Sequence, residues 1–207
     1  MTLAWAWAGV GMTLALLLGY EVRLALQSRD QPERTARGTH ARLREEWFLA
    51  VGAHPGSEVL AVQTLRNALM SATMTASTAA LGLMGSVALA APSLHATLDA
   101  PTTFTPRLLL ELLLMLLLFG SLVASAMAVR FYNHVSFIAA MPVGSDARTR
   151  WAALGVVHVR RAGLLYSWGL RQLILLAPIV AALLNPLAGP PAALVAILGL
   201  SLFDRSS

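Results

Sequence analysis

VLAVQTLRNALMSATMTASTAALGLMGSVALAA, residues 59–91, is the stretch that decides the fold of this chain. As a helix, residues 67–91 alone would extend more than about 35 Å, whereas the hydrocarbon core of a bilayer is about 30 Å thick. Small residues recur every four positions and would form two flat strips, namely Ala72, Ala76 and Ala80, and Thr78, Gly82 and Ser86. Because small residues let neighbouring helices approach closely, the stretch predicts the inner helix of a membrane bundle.

The composition of the whole chain excludes an ordinary soluble domain. Only 12% of the 207 residues are charged, and the mean hydropathy is +0.68. All fifteen basic residues are arginines, and most lie in two segments between apolar runs, which is typical of a topology signal rather than of nucleic-acid binding. Cysteine is absent, which excludes a disulfide framework and thiol chemistry. We therefore expect a single transmembrane domain over residues 1–207, with no nucleic acid as a partner.

Five apolar runs predict an all-α, polytopic transmembrane helix bundle. The runs cover about residues 2–20, 59–91, 108–129, 164–184 and 187–203. The last run has about 17 residues, which is the lower length limit of a span. A four-span bundle that ends in a re-entrant hairpin is therefore the alternative.

The arginines also predict the orientation of the bundle. Six of them follow the first run and none precedes it, which is the reverse of a secretory signal peptide. The two arginine-rich segments, residues 21–58 and 130–163, fall on the same side of a five-span bundle and are expected in the cytoplasm. The N-terminus is then outside and the C-terminus inside. The richness in arginine, alanine and leucine points to the inner (plasma) membrane of a bacterium.

Each cytoplasmic segment contains a candidate helix. ARLREEWFLAV, residues 41–51, predicts a short amphipathic helix on the membrane surface. Its charged residues are expected to face water and its large apolar residues to face lipid or protein: Arg42, Arg44, Glu45 and Glu46 in the first group, and Leu43, Trp47 and Phe48 in the second. In the second segment, Asp146 is a candidate N-cap for another helix.

Four short motifs resemble a known family. QTLRN (63–67) and STAALGL (77–83) lie in the deciding stretch, RFYNH (130–134) follows the third run, and GLRQLILLAP (169–178) lies in the fourth. Together they resemble the domain-of-unknown-function 599 family of small polytopic membrane proteins, from about Trp47 onward. The resemblance implies an all-helical integral membrane fold, and it brings no established activity.

Two arginines inside apolar runs are the most informative candidate site residues. Arg66 and Arg171 each lie about seven residues inside the cytoplasmic end of a span, which is roughly 10 Å along the helix. An arginine near the centre of a span costs about 2.5–3.5 kcal/mol on insertion scales. Such a residue is therefore expected to face protein, water or an anion.

Other polar residues share helix faces with these arginines or end the third span at the same level. The spacing puts Gln63, Arg66 and Asn67 on one face, and Arg130, Asn133 and His134 on another. We expect a basic pocket, open to the cytoplasm, that binds an anion or a ligand and is formed by Gln63, Arg66, Asn67, Arg130, Asn133, His134 and Arg171. The alternative is that these arginines only reach the anionic headgroups of inner-leaflet lipids, with the amides pairing helices.

Glu111 is a weaker candidate near the outer end of the third span. It is spaced to pair with Arg107 at i, i+4, and the alternative is an ion site at the outer mouth of the bundle. The histidines lack metal-ligand spacing, so no metal site is expected, and His134 is expected to be interfacial or hydrogen-bonded. No catalytic motif is present, so we expect neither an enzyme nor a cofactor.

Three functions fit these observations. The first is a channel- or transporter-like pore for a small solute, with an anionic solute favoured by the arginines, in which a homo-oligomer would line up Arg66 and Arg171. The second is an accessory or scaffold subunit of a larger membrane complex. The third is a protein that binds or modifies anionic lipid headgroups. The arginine pattern favours the pore.

Overall fold

The fold is described by a computed structural model over residues 2–30, 36–99 and 104–204. Within these ranges all regular structure is helical, which confirms the all-α class. The helices are α1 (Leu3–Asp30), α2 (Ala36–Gly52), α3 (Glu58–Asp99), α4 (Pro106–Ala140), α5 (Asp146–Leu184) and α6 (Gly189–Asp204). A short 3₁₀ turn, Pro186–Ala188, joins the last two.

Five of the helices are long and apolar enough to cross a membrane. They contain the stretches Leu3–Gln27, Glu58–His95, Pro106–Ala140, Asp146–Leu184 and Pro186–Asp204. The prediction of five spanning helices is confirmed by the length and composition of these helices, which are those of a multi-pass membrane protein. The last stretch reaches 19 residues because the 3₁₀ turn continues into α6. The orientation of the termini stays a prediction.

The predicted segment 130–163 is not a loop but the meeting point of two long helices. Helix α4 continues to Ala140 and α5 already begins at Asp146, so only a short turn separates them. The side chain of Ser145 accepts a hydrogen bond from the Arg148 N–H and caps α5, so the prediction that Asp146 is the cap was wrong. The turn also contains Gly144, whose φ of 82° lies in the left-handed region that glycine tolerates.

Helix α3 packs on α4 along a single strip. Leu65, Ala72, Ala79 and Ser86 are buried at intervals of seven residues, which is the spacing of helices that cross at a small angle. The predicted strips with a four-residue period were therefore wrong in part: Ala72 and Ser86 pack, but Thr78 is exposed. Most of the other α3 side chains are partly or fully exposed.

Helices α4 and α5 form a hairpin at the centre of the bundle and contribute to both of its cores. Small residues let these two helices pack closely. The Ser121 hydroxyl donates a hydrogen bond of 2.8 Å to the Gly169 carbonyl. A Cβ on Gly169 would collide with the Ser125 hydroxyl, and one on Gly120 would lie 2.6 Å from the Gln172 side chain. Substituting Gly169 would therefore push the two helices apart, because backbone atoms of α4 also lie within 3.4 Å, whereas substituting Gly120 would displace the Gln172 side chain.

Two apolar cores flank this contact. One lies among α2, α3, α4 and α5 and includes Phe48, Leu65, Tyr132 and Val159. The other lies among α1, α4, α5 and α6 and is built around Val10, Leu110, Ile179, Ala193 and Leu200. The first core marks the end of the bundle that carries α2 and the α4–α5 turn, which we call the α2 end.

Candidate functional site

Helix α2 lies antiparallel along α5, outside the main bundle. The Arg37 guanidinium is 5.1 Å from the centre of the Trp168 ring, and Glu45 forms an ion pair of 3.2 Å with Arg160. Two glycines of α5 receive side chains of α2. A Cβ on Gly155 would lie 2.5 Å from the Phe48 ring, and one on Gly163 would lie 2.5 Å from the guanidinium of Arg44.

A cleft of about 300 Å³ opens between α2 and the bundle. We call it the Arg44 cleft, and it is lined by Leu43, Arg44, Trp47, Thr64, Leu65, Ala68, Tyr132 and Val159. Most of these side chains are apolar. The cleft therefore combines a mainly apolar surface with one cation.

Arg44 is half-buried, and no carboxylate in the described part of the chain pairs with it. Its guanidinium makes no hydrogen bond or ion pair with any residue that the structure describes, whereas its neighbours Arg42 and Glu45 are paired with Glu46 and Arg160 at 3.2 Å. Because an arginine loses hydration when it is half-buried, an uncompensated guanidinium favours an anionic partner. The expectation that Arg44 faces water was wrong, since it rests against the backbone of Gly163.

The Arg44 cleft lies at the level where the apolar part of α4 ends. The apolar run 108–129 is followed by Arg130, and Tyr132 of the cleft comes two residues later. Trp47 also lines the cleft, and tryptophan is enriched at membrane–water interfaces. The cleft therefore lies close to the level of Arg130 and within the stretch Pro106–Ala140, which is long and apolar enough to cross a membrane.

The predicted polar residues of α3 and α4 lie at this same end but outside the Arg44 cleft. Glu58 accepts a hydrogen bond of 2.9 Å from the Val143 N–H, and Gly82 lies against Leu118, so the two helices are antiparallel and in a fixed register. That register puts Arg66 near the level of Val135. The side chains concerned are all exposed: Gln63, Arg66, Asn67, Arg130, Asn133 and His134.

The structure gives the level of Arg66 in the bundle and the neighbours of His134. Arg66 lies beyond the level of Arg130, toward the α2 end, and inside the stretch Glu58–His95 that is apolar enough to cross a membrane. The His134 ring lies 5.8 Å from that of His158, and His158 also packs 5.1 Å from Phe131. The binding role of these residues stays a prediction.

Arg171 does not join this group, because it lies deeper in the bundle and is already paired. Its Nε donates to Glu21 at 2.7 Å, and its Nη1 donates to Asp204 at 2.8 Å. The Tyr20 hydroxyl donates to the same carboxylate of Asp204 at 2.6 Å. Since Ser121 bonds Gly169 and Gly120 lies against Gln172, Arg171 lies about ten residues, or roughly 15 Å, deeper than Arg130.

The cluster around Arg171 ties together three helices, α1, α5 and α6. Arg171 is 6% exposed, and Glu21 and Asp204 balance its charge, as an arginine inside a membrane requires. Arg37 of α2 lies close enough for these charges to act on it: burial lowers the pKa of its guanidinium, and the positive charge of Arg171 lowers it further. The predicted role of Arg171 as a free cation in a basic pocket is therefore replaced by a structural ion-pair cluster.

Glu111 forms the ion pair that its spacing predicts. The Arg107 Nε donates to its carboxylate at 2.9 Å, and Ser93 of α3 lies 3.5 Å from the same oxygen. The residue is 6% exposed, and its second carboxylate oxygen has no partner in the described ranges. Within those ranges no group of three or more metal-ligating side chains is present. An ion site at Glu111 stays a prediction.

The spacing of residues in α2 contains a signal that Arg44 lies on the inward face of the helix. Ala41, Arg44 and Phe48 recur at helical spacing, and Ala41 and Phe48 are both buried. Arg44 therefore shares the inward face of α2, although its charge favoured the outward assignment. Apolar spacing and residue charge made opposite predictions here, and the spacing was right.

Comparisons with known proteins place the chain in a family without adding an activity. The family described as "Protein of unknown function, DUF599" matches residues 8–207, nearly the whole chain, which confirms the resemblance seen in the sequence motifs. No curated protein and no solved structure matches the chain.

Proposed function

The chain belongs to the DUF599 family of proteins of unknown function, and from the geometry of the Arg44 cleft we propose that it binds an anionic membrane lipid. In this proposal the headgroup binds the Arg44 guanidinium and part of an acyl chain fills the apolar floor. The lipid comes from the cytoplasmic leaflet of the membrane that holds the protein, which we take to be a bacterial inner membrane.

One observation carries this proposal: Arg44, which is half-buried and pairs with none of the residues that the structure describes, lines an apolar cleft. A phosphate or carboxylate accepts paired hydrogen bonds from one guanidinium, so a single arginine suffices to hold such a headgroup. The walls, which include Leu43, Leu65 and Val159, offer little to a hydrated soluble anion. The volume of about 300 Å³ is at the lower end of the range for ligand sites.

The exposed cations predicted from the sequence have a supporting role in this proposal. Arg66 and Arg130 lie at the level of the cleft and are open to the surroundings. A basic residue near an anionic membrane surface contributes about 1 kcal/mol of attraction. The two arginines would therefore enrich anionic lipids around the cleft without binding any one of them tightly.

A pore for a small solute is the second candidate, and the outer face of α3 favours it. Gln63, Arg66 and Asn67 are exposed there and make no side-chain hydrogen bond within the described ranges. Copies that surround a water-filled path would hydrate these groups, whereas a partner protein in a larger complex would cover them. Arg171 is excluded from lining such a pore because two carboxylates hold it.

Native mass spectrometry and lipid extraction of the gently purified protein test the proposal. Arg44→Gln removes the charge, and Arg42→Gln is the matched control because Arg42 lies on the same helix but outside the cleft. We expect the wild type and the control to retain an anionic lipid and Arg44→Gln to lose it. An unchanged anionic lipid in Arg44→Gln would contradict the proposal.

A second variant tests the contribution of the cleft volume while the charge of Arg44 is kept. Ala68 lines the cleft, so Ala68→Leu fills it while leaving Arg44 in place. The proposal predicts that this variant also loses the bound lipid. The same spectra report the number of copies, so a discrete homo-oligomer without retained lipid would favour the pore instead.

A further inference from the structure

A second cavity lies at the tip of the α2 end, apart from the Arg44 cleft. It has a volume of about 230 Å³ and lies where the last turns of α2 meet the α4–α5 turn. Its walls are mostly apolar, with Phe48, Leu49, Ile138 and Ala152, and it is also lined by Arg148 and Thr149. None of its lining residues lines the Arg44 cleft. We call it the Arg148 cavity.

Arg148 is 5% exposed and only partly satisfied. Its Nη1 donates to the carbonyls of Ala139 and Met141, both at 2.7 Å, and so caps the end of α4. Its Nη2 is buried and has no partner in the described ranges. Leaving a buried charged donor unsatisfied is costly, which makes such a group a candidate for binding an absent acceptor.

The unpaired Nη2 points toward the wall that Gly52 forms. A Cβ on Gly52 would lie 3.7 Å from this nitrogen, so no side chain of residue 52 stands between Nη2 and the cavity. The carboxylate of Glu58, at the same tip, lies close enough to feel the charge of Arg148, but it accepts the Val143 N–H at 2.9 Å and forms no ion pair with Arg148 in the structure as described. The cation is therefore available to an anion that enters the cavity.

We infer that the Arg148 cavity binds a small carboxylate with a short apolar body. One guanidinium nitrogen suits a carboxylate oxygen, whereas a phosphate dianion would need more donors than this cavity supplies. The apolar body would pack on Phe48, Leu49 and Ile138. This inference goes beyond the proposed lipid binding and concerns separate residues.

Saturation-transfer NMR on the full chain in zwitterionic nanodiscs tests this inference, with butanoate as the probe and butanol as the uncharged analogue. The inference predicts saturation transfer to butanoate and binding of butanol that is weaker by about tenfold or more, since only butanoate can satisfy the charged Nη2. No transfer to butanoate, or equal binding of butanol, would overturn the inference.

Two neighbouring alanines of α5 provide the variant and its control. Ala152 lines the cavity, whereas Ala153 is exposed and does not, so Ala152→Leu fills the cavity and Ala153→Leu matches it in size and position. We expect Ala152→Leu to lose butanoate binding and Ala153→Leu to keep it. Arg148→Gln is a weaker test because Arg148 also caps α4. Butanoate binding that survives Ala152→Leu would place the probe elsewhere and overturn the assignment.

Discussion

The guanidinium of Arg44 occupies the space that a side chain on Gly163 would fill, since a Cβ there would lie 2.5 Å from the arginine Cζ. This relationship explains how a charged residue lies on the inward face of α2 without a carboxylate partner. The glycine supplies room and no countercharge. The Arg44 cleft thus keeps a cation that no other described residue neutralises.

Gly155 of α5 receives the Phe48 ring, which lies one turn after Arg44 on α2. Substitution of Gly155 should therefore loosen the packing of α2 on α5. A Cβ in Gly155→Ala would meet the buried Phe48 ring at 2.5 Å, so we expect a loss of about 1–3 kcal/mol, as for other overpacked cores. Denaturation in mixed detergents measures the loss, and hydrogen exchange should localise it to α2. Gly199→Ala is the control, because nothing lies within 4 Å of its Cβ position. Equal stability of both variants would show that α2 does not pack as described.

Removing Arg171 should destabilise the bundle strongly. Arg171→Leu leaves Glu21 and Asp204 without their cation, and breaking a buried ion pair costs about 3–5 kcal/mol. The midpoint of detergent denaturation measures this cost, and Arg171→Lys should restore part of it. Arg23→Leu is the control, since Arg23 is exposed on α1 close to Glu21. A stable Arg171→Leu protein would contradict the structural role of the cluster.

The hydrogen bond between α4 and α5 should make a smaller, measurable contribution. Ser121→Ala removes the bond to the Gly169 carbonyl, and interhelical bonds of this kind contribute about 0.6 kcal/mol, with a maximum near 1.7. Ser71→Ala serves for comparison, because the Ser71 hydroxyl donates to the Asn67 carbonyl of its own helix. If both substitutions change stability equally, the bond between the helices contributes nothing specific.

The exposed arginines and Arg44 should affect bound lipid differently. Arg66→Gln combined with Arg130→Gln removes attraction of about 1 kcal/mol per residue for anionic headgroups. The lipid shell of the double variant should therefore contain fewer anionic lipids, as measured by lipid extraction at increasing detergent concentration. The last, tightly held anionic lipid should remain. Its loss would transfer the binding role from Arg44 to these two residues.

The class of fold could be predicted from the sequence because hydropathy sets where helices can cross a bilayer. Helix ends could not, because an apolar run reports where lipid contact ends rather than where backbone hydrogen bonding ends. Helix α4 continues past Arg130 to Ala140, where Arg148 caps its carbonyls. That cap depends on a side chain from the next helix, and the sequence pattern of α4 alone does not contain it.

The basic character of the candidate site could be predicted from the sequence, but the residues that form it could not. A basic site at the α2 end was expected, yet Arg171 is bound to Glu21, 150 residues away in the chain, and this distance hides the pair from any local pattern. Arg44 was assigned to water by its charge, although its spacing from Phe48 puts it on the buried face. Whether an arginine can bind a ligand thus depends on whether a carboxylate from another helix pairs with it, and the local sequence does not show this.

Quenching of Trp47 by brominated lipids tests the central claim most directly, because Trp47 lines the Arg44 cleft. The protein would keep only this tryptophan, with phenylalanine at positions 5, 7, 151 and 168, in nanodiscs of matched composition. We predict stronger quenching by brominated phosphatidylglycerol than by an equal fraction of brominated phosphatidylcholine, and loss of the difference in Arg44→Gln. Equal quenching by the two lipids in the protein that retains Arg44 would contradict anionic lipid binding in the cleft.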